Sequence, residues 1–360
     1  MLQNHIGELE KNPKKRKFIL LEIPIRHRLL ITIPQLLILL FIFIFFLVHQ
    51  APRFTNNSAL FIQVPLGLGI ILLAYFVYRR VSFHKNEHIH QQKKYYTFGK
   101  VKPSNTKQLE ALQLIAFSRY SDGFWTDSLE HAPVEVRVDH VPNFRKKLDY
   151  FNIKTKEELI SEWADAWGMI SKTKYEKLYN QLLNGLHTSQ FLLDYREYPE
   201  WKNRLLELTE ISEDYFDSCF NTSSAQPQKL IWAWDLWRAV LLSTAAFECG
   251  FITEEKAWQN IYKASDLSHF LFDSIDDFYT NMRLGHAYWC NNEKQVFERT
   301  SQVNAFLNPK TGNERLVHTV NWTSIKNIDL PHHMADNFKS FLKDIDDNNT
   351  PSKIGFNKNQ

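Results

Sequence analysis

Two charge-free apolar runs constrain this chain more than any other feature of its sequence. Leu29 to Val48 is one run, with only Thr32 and Gln35 polar; Ala59 to Tyr78 is the other, with Gln63 as its main polar residue. A helix rises about 1.5 Å per residue, so about twenty apolar residues cross the roughly 30 Å hydrocarbon core of a bilayer. His49 to Ser58, between them, is polar, contains Pro52, Asn56 and Asn57, and has room only for a tight turn. The expectation is an antiparallel transmembrane hairpin with spans at residues 29–48 and 59–78. The first run is longer than a secretory apolar core, and His49-Gln50-Ala51-Pro52 lacks the small-residue cleavage pattern, so an uncleaved anchor is expected.

Charge gives the orientation. Lys14, Lys15, Arg16, Lys17, Arg26 and Arg28 precede the first run, and Arg79, Arg80, Lys85, Lys93 and Lys94 follow the second. The turn between carries only Arg53. Basic flanks stay inside, which places both termini in the cytoplasm of a multi-pass protein of the cell inner (cytoplasmic) membrane, with the lipid bilayer as its first partner. Neither run contains an ionisable side chain other than the terminal tyrosines. Conduction pathways use such groups, so the hairpin reads as an anchor rather than a pore.

The remainder is of opposite charge. Residues 1–100 hold 14 Lys/Arg against 4 Asp/Glu, whereas residues 101–360 hold 29 against 36. A nucleic-acid binder presents a basic face on its folded domain, so no nucleic acid is expected as a partner. The organisation that follows is a basic N-terminus (1–28), the hairpin (29–78), a basic linker (79–103), a soluble helical domain (104–330) and a polar tail (331–360). The linker holds His84, His88 and His90; a solvated juxtamembrane segment accounts for them without a metal. Cys219, Cys249 and Cys290 form no CxxC pair and suit reduced, buried thiols rather than zinc ligands. No metal or cofactor is expected.

From Ser104 the apolar spacing turns helical, and the expected class is mainly α with at most a minor β element. Leu109, Leu112, Ile115 and Ala116 mark one helix, ending near Gly123. Val134 to Val138 alternates like a short strand. Thr155 and Glu158 form a capping box for a helix through Trp163 and Trp167 to Gly168. Ser171 can cap the next, which ends at Gly185. Leu230, Trp234, Trp237 and Leu241 fall on one face of a helix stopped by Gly250. Thr253 caps a helix with Glu254 and Glu255 in its first turn, where the dipole favours negative charge, and Ser274 caps another carrying Phe278, Met282 and Trp289. Helical signals fade after Asn291.

Catalytic signatures are absent: there is no Walker loop, dinucleotide GxGxxG, GxSxG or HExxH. Asp235 and Arg238 stand out, one helical turn apart beside Trp234 and Trp237. Two readings compete: a buried structural ion pair, with Glu248 as an additional partner, or a ligand or catalytic site. Trp234, Trp258 and Trp289 divide likewise between core and binding platform.

Three segments carry a family resemblance. They are Trp234-Asp-Leu-Trp-Arg238, Glu248-Cys-Gly-Phe-Ile-Thr-Glu-Glu-Lys-Ala-Trp258 and Leu284-Gly-His-Ala-Tyr-Trp289, supported upstream by Trp167-Gly-Met-Ile-Ser171. Together they resemble the bacterial domain-of-unknown-function 1266 family, over about residues 105–325. Its Gly-His pair near residue 186 appears here as Gly185-Leu-His187, and a terminal Pro-Trp as Asn321-Trp322. The resemblance implies an α-helical bacterial domain and brings no established reaction. Two functions are therefore carried forward. One is a binding or regulatory module that engages a protein partner from the membrane. The other is a membrane-tethered enzyme, such as a hydrolase, with a pocket built from Asp235, Arg238, Glu248, His286 or Asp276.

Overall fold

The computed structural model describes residues 90–328, except 123–124, 150–152, 222–226 and 312–314, together with isolated positions upstream. The two expected spans lie outside the described residues apart from a few such positions, as do His84, His88 and the polar tail. Among the described residues no helix is long and apolar enough to cross a membrane. Mainly helical architecture is borne out: among the described residues there is no β-strand, only an isolated parallel bridge between Val134 and Lys154.

The chain divides into two compact units, Met1–Val101 with Pro133–Lys154, and Lys102–Ala132 with Thr155–Gln360. In the first, a helix over 90–99 carries Tyr95, whose hydroxyl accepts from the Val134 N–H at 2.9 Å. The strand expected at 134–138 is a correction: Glu135–Arg137 is a single 3₁₀ turn. Val134 and Val138 are both buried despite lying four apart on a turn, so their alternation with polar residues imitates a strand pattern.

The second unit is built from helices α1 (Thr106–Asp122), α2 (Lys156–Trp167), α3 (Lys172–Leu183), α4 (Leu186–Glu197), α5 (Trp201–Thr209), α6 (Glu213–Ser218), α7 (Trp232–Glu248), α8 (Glu254–Leu271), α9 (Ile275–Cys290) and α10 (Glu293–Leu307). Local chemistry sets many of the ends. Thr155 and Glu158 form the expected reciprocal capping box, and Ser171, Thr253 and Ser274 each accept from the N–H three residues on. Gly168, Gly185 and Gly250 take positive φ of 63°, 73° and 67°, which a side chain disfavours. Helix α10 has no counterpart in the expected pattern. Asn292 caps it, and Val296, Val303 and Phe306 bury one face. Only three apolar side chains in fifteen residues are buried, and exposed Phe297 falls between them, which makes its periodicity faint.

Helix α7 is the centre of this unit. Every residue from Trp232 to Glu248 except Leu241 is buried, and α1, α2, α3, α4, α8 and α9 all pack on it. A helix surrounded on all sides needs apolar residues all round, and its few polar groups must find partners within the protein. Ser243 does so through Tyr175 of α3, which also accepts from Asn260 of α8. Cys219 and Cys249 are buried free thiols and Cys290 is partly buried.

Candidate functional site

The N-terminus of α4 begins the site. Gly185 precedes the helix and has no side chain to satisfy the first free N–H groups. Asp235, in the first turn of α7, fills that role from another helix. One carboxylate oxygen takes the His187 N–H at 3.1 Å and the His187 ring Nδ1 at 2.5 Å; the other takes the Thr188 N–H at 2.9 Å and hydroxyl at 2.7 Å. Asp235 is fully buried, and its charge faces the positive end of the α4 dipole.

His187 passes the interaction on. With Nδ1–H donating to Asp235, Nε2 is an acceptor, and Arg238 Nη1 donates to it at 2.7 Å. Arginine has only donors to offer, so the hydrogen-bond pattern defines a neutral imidazole protonated at Nδ1. Asp235 and Arg238 thus do not pair directly; the ring between them links the two charges.

The guanidinium is caged by tryptophan. Its central carbon lies 4.1 Å from the Trp234 ring centre, 4.3 Å from Trp289 and 4.9 Å from Trp167, so α7, α9 and α2 each deliver one ring. Cation–π attraction is strongest for tryptophan and grows as water is removed. Burial pulls Arg238 down to about 9 while the Asp235 charge opposes the shift, which leaves a cation at neutral pH. Trp289 meets His187 edge-on at 5.0 Å. His286, one turn earlier on α9, meets Trp234 edge-on at 5.6 Å. Burial and the Arg299 and Arg238 charges push His286 down to about 4, so it too is neutral.

Three of the sequence candidates therefore converge with Arg238: Asp235, Trp234 and Trp289. Glu248 and Trp258 lie elsewhere. Glu248 is ten residues beyond Arg238, about 15 Å along the helix, and its carboxylate takes the N–H of His131 at 2.8 Å and its ring Nδ1 at 2.5 Å. Nearby Arg119 donates to the carbonyls of Ser128 and Leu129, and burial lowers it to about 10 against the charges of Glu248, Glu130 and Asp127. Trp258 bonds Glu254 at 3.2 Å and stacks on Tyr262 within its own helix. Asp276 is exposed in the first turn of α9, at the opposite end from His286. Sequence reasoning did not assign roles to His187, Thr188 or Trp167. The one available signal was Gly185, a helix start that lacks a capping side chain and so needs an acceptor from elsewhere. Among the described residues no group of three or more His, Cys, Asp or Glu could hold a metal ion.

This geometry defines a class: an all-helical domain organised around an Asp–His–Arg relay in a tryptophan cage. Residues 163–322, which hold every member of the cage, match the family described as "Protein of unknown function (DUF1266)", as the motifs implied. The inner membrane protein YnjI of Escherichia coli (strain K12) is 32% identical over 234 residues. That match covers 64% of this chain and 64% of the relative, so the chain spans less than two thirds of the relative's length. No solved structure matches.

Proposed function

We propose that the chain is a membrane-anchored helical module, multi-pass in the inner membrane with both termini cytoplasmic, which binds a protein partner through the surface around Trp289. One observation carries the binding reading. The Asp235 carboxylate is saturated by donors from α4, and the exposed member of the cluster is not a titratable group but an aromatic one, Trp289, at 39% exposure. Ile170, three residues beyond Trp167, is 58% exposed. Aromatic residues are favoured anchors of protein interfaces. The membrane part rests on the two apolar runs, their basic flanks and the name of the relative.

A hydrolase reading asks for a carboxylate free to act on substrate or water. Asp235 is spent on holding α4, and Glu248 and Asp276 lie away from it, so the enzyme alternative has little to build on.

The test has two parts. A reporter fused after Gln360 should be active only in its cytoplasmic form; periplasmic activity would overturn the orientation. The full chain, cross-linked in membranes and purified in detergent, should retain a stoichiometric protein that is lost from an Ile170→Glu, Trp289→Ser double variant. If no such protein is found, or if the double variant holds it equally well, the binding reading fails.

A further inference from the structure

Two N–H groups inside the cage have no acceptor. Trp234 is 4% exposed and Arg238 6%, yet Trp234 Nε1 and Arg238 Nε make no hydrogen bond. A buried donor left without an acceptor has lost its water and gained nothing in return, and the penalty is larger when the group is charged. The two belong to one place, since the guanidinium carbon lies 4.1 Å from the centre of the Trp234 ring. Among the described residues no carboxylate lies within ion-pair distance of Arg238; Asp235 reaches it only through neutral His187. The cluster therefore combines a desolvated cation, two empty donors and walls of tryptophan.

We propose that this cluster binds a carboxylate presented by a peptide, one oxygen accepting from Arg238 Nε and the other from Trp234 Nε1. A carboxylate suits the pair better than other acceptors. It is a planar monoanion that balances one cation, and its two oxygens can serve two separate donors. A phosphate dianion would bring a second negative charge into aromatic walls. Water would satisfy the donors without placing a negative charge in direct contact with the guanidinium. Trp289 lies on the last turn of α9, half-exposed, with its ring on the guanidinium. It is the movable cover, and rotation of its side chain opens the cage to a ligand.

This inference rests on the reading of the protein as a binding module and names the group that the module recognises. The experiment uses the full chain in detergent, with N-acetyl-phenylalanine, its carboxamide and methyl phosphate as probes, read by intrinsic tryptophan fluorescence and calorimetry. The acid should bind saturably and at least about tenfold tighter than the amide or methyl phosphate, a factor worth about 1.4 kcal/mol. Trp234→Phe keeps a ring and removes one N–H; Arg238→Lys keeps the charge and removes Nε–H. Each should weaken the acid about tenfold while circular dichroism shows an unchanged fold. Absence of saturable binding, equal binding of acid and amide, tighter binding of methyl phosphate, or unchanged affinity in a folded Trp234→Phe variant each overturns the proposal. If both variants fail to fold, the acid–amide comparison on the unaltered chain decides. Partner capture that survives without acid–amide discrimination sinks this inference alone; discrimination without any partner sinks the broader reading alone.

Discussion

Asp235 carries two roles that are separable in principle and joined in this chain. It supplies the missing cap of α4, and through His187 it provides the charge that makes a buried Arg238 tolerable. Removing it therefore leaves the backbone N–H groups of His187 and Thr188, the His187 ring N–H and the Thr188 hydroxyl without their acceptor, and the caged cation without the charge that balances it. Breaking a buried pair by deleting one partner typically costs about 3–5 kcal/mol, because the remaining charge is uncompensated. Asp235→Ala should lose that order of stability in denaturant titration of the detergent-solubilised chain. A cost below about 1 kcal/mol would mean that water enters the cage freely. Asp235→Asn should fall between, since an amide oxygen accepts from α4 but carries no charge to balance Arg238. His187→Phe keeps an edge toward Trp289 and removes both ends of the relay, so it should resemble Asp235→Ala rather than a mild core change.

Between elements, capping in trans is the recurring device. Ile231 starts α7 without a capping side chain, and Asn281 of α9 takes its place by accepting from the Ala233 N–H at 3.1 Å and donating to the Leu230 carbonyl at 2.7 Å. Gly285, one turn further along α9, lets the same two helices meet: a Cβ there would collide with the Cβ of Trp234. That atom is fixed to the backbone and cannot swing away. Gly285→Ala should therefore cost about 1–3 kcal/mol by overpacking, and it should also shift the tryptophan emission of the cage. Unchanged stability and emission would show that α9 moves away without consequence. The same contrast explains what the sequence could and could not disclose. Thr155, Ser171, Thr253 and Ser274 cap helices that begin beside them, so spacing of a few residues revealed them. Asp235 and Asn281 cap helices that lie apart in the chain or begin away from them, and no local pattern encodes that. His187 is assigned its role by Asp235, 48 residues away, which is why a motif centred on Trp234-Asp-Leu-Trp-Arg238 held half the site and missed the other half. Helix α10 was hidden for a different reason, since a long helix that buries only three apolar residues resembles a solvated segment. The short turn at 134–138 erred in the opposite sense, with buried valines at strand-like spacing and, among the described residues, only an isolated bridge from Val134 to Lys154 rather than a strand to pair with.

For the whole folded domain, two buried histidines contribute to the response to acid. His286 is held down to about 4 by burial and by Arg299 and Arg238. His269, stacked on Trp322 at 4.0 Å, is held down to about 4 chiefly by burial and further by Lys107, while the Thr323 backbone and Asp266 oppose the shift. Both therefore stay neutral in the folded protein at a pH where an unfolded chain, with an ordinary histidine value near 6.5, already binds protons. The sign follows from proton counting. Above about 6.5 neither state is protonated at these positions and stability is flat with respect to them. As pH falls from about 6.5 toward 4 the unfolded state takes up protons that the folded state refuses, so stability drops; below about 4 both states are protonated and the loss levels off. Each histidine can remove up to about 3 kcal/mol over that window, since every tenfold difference in proton affinity between the two states is worth about 1.4 kcal/mol. Denaturant titrations of the full chain in detergent at pH 7, 5.5 and 4.5 should show this decline. His269→Phe keeps a ring on Trp322 and removes one proton site, so its decline should be visibly shallower. An identical slope in the variant would place the acid sensitivity elsewhere than in the ring that Trp322 covers, where the Ile325 N–H bonds the His269 carbonyl at 2.9 Å.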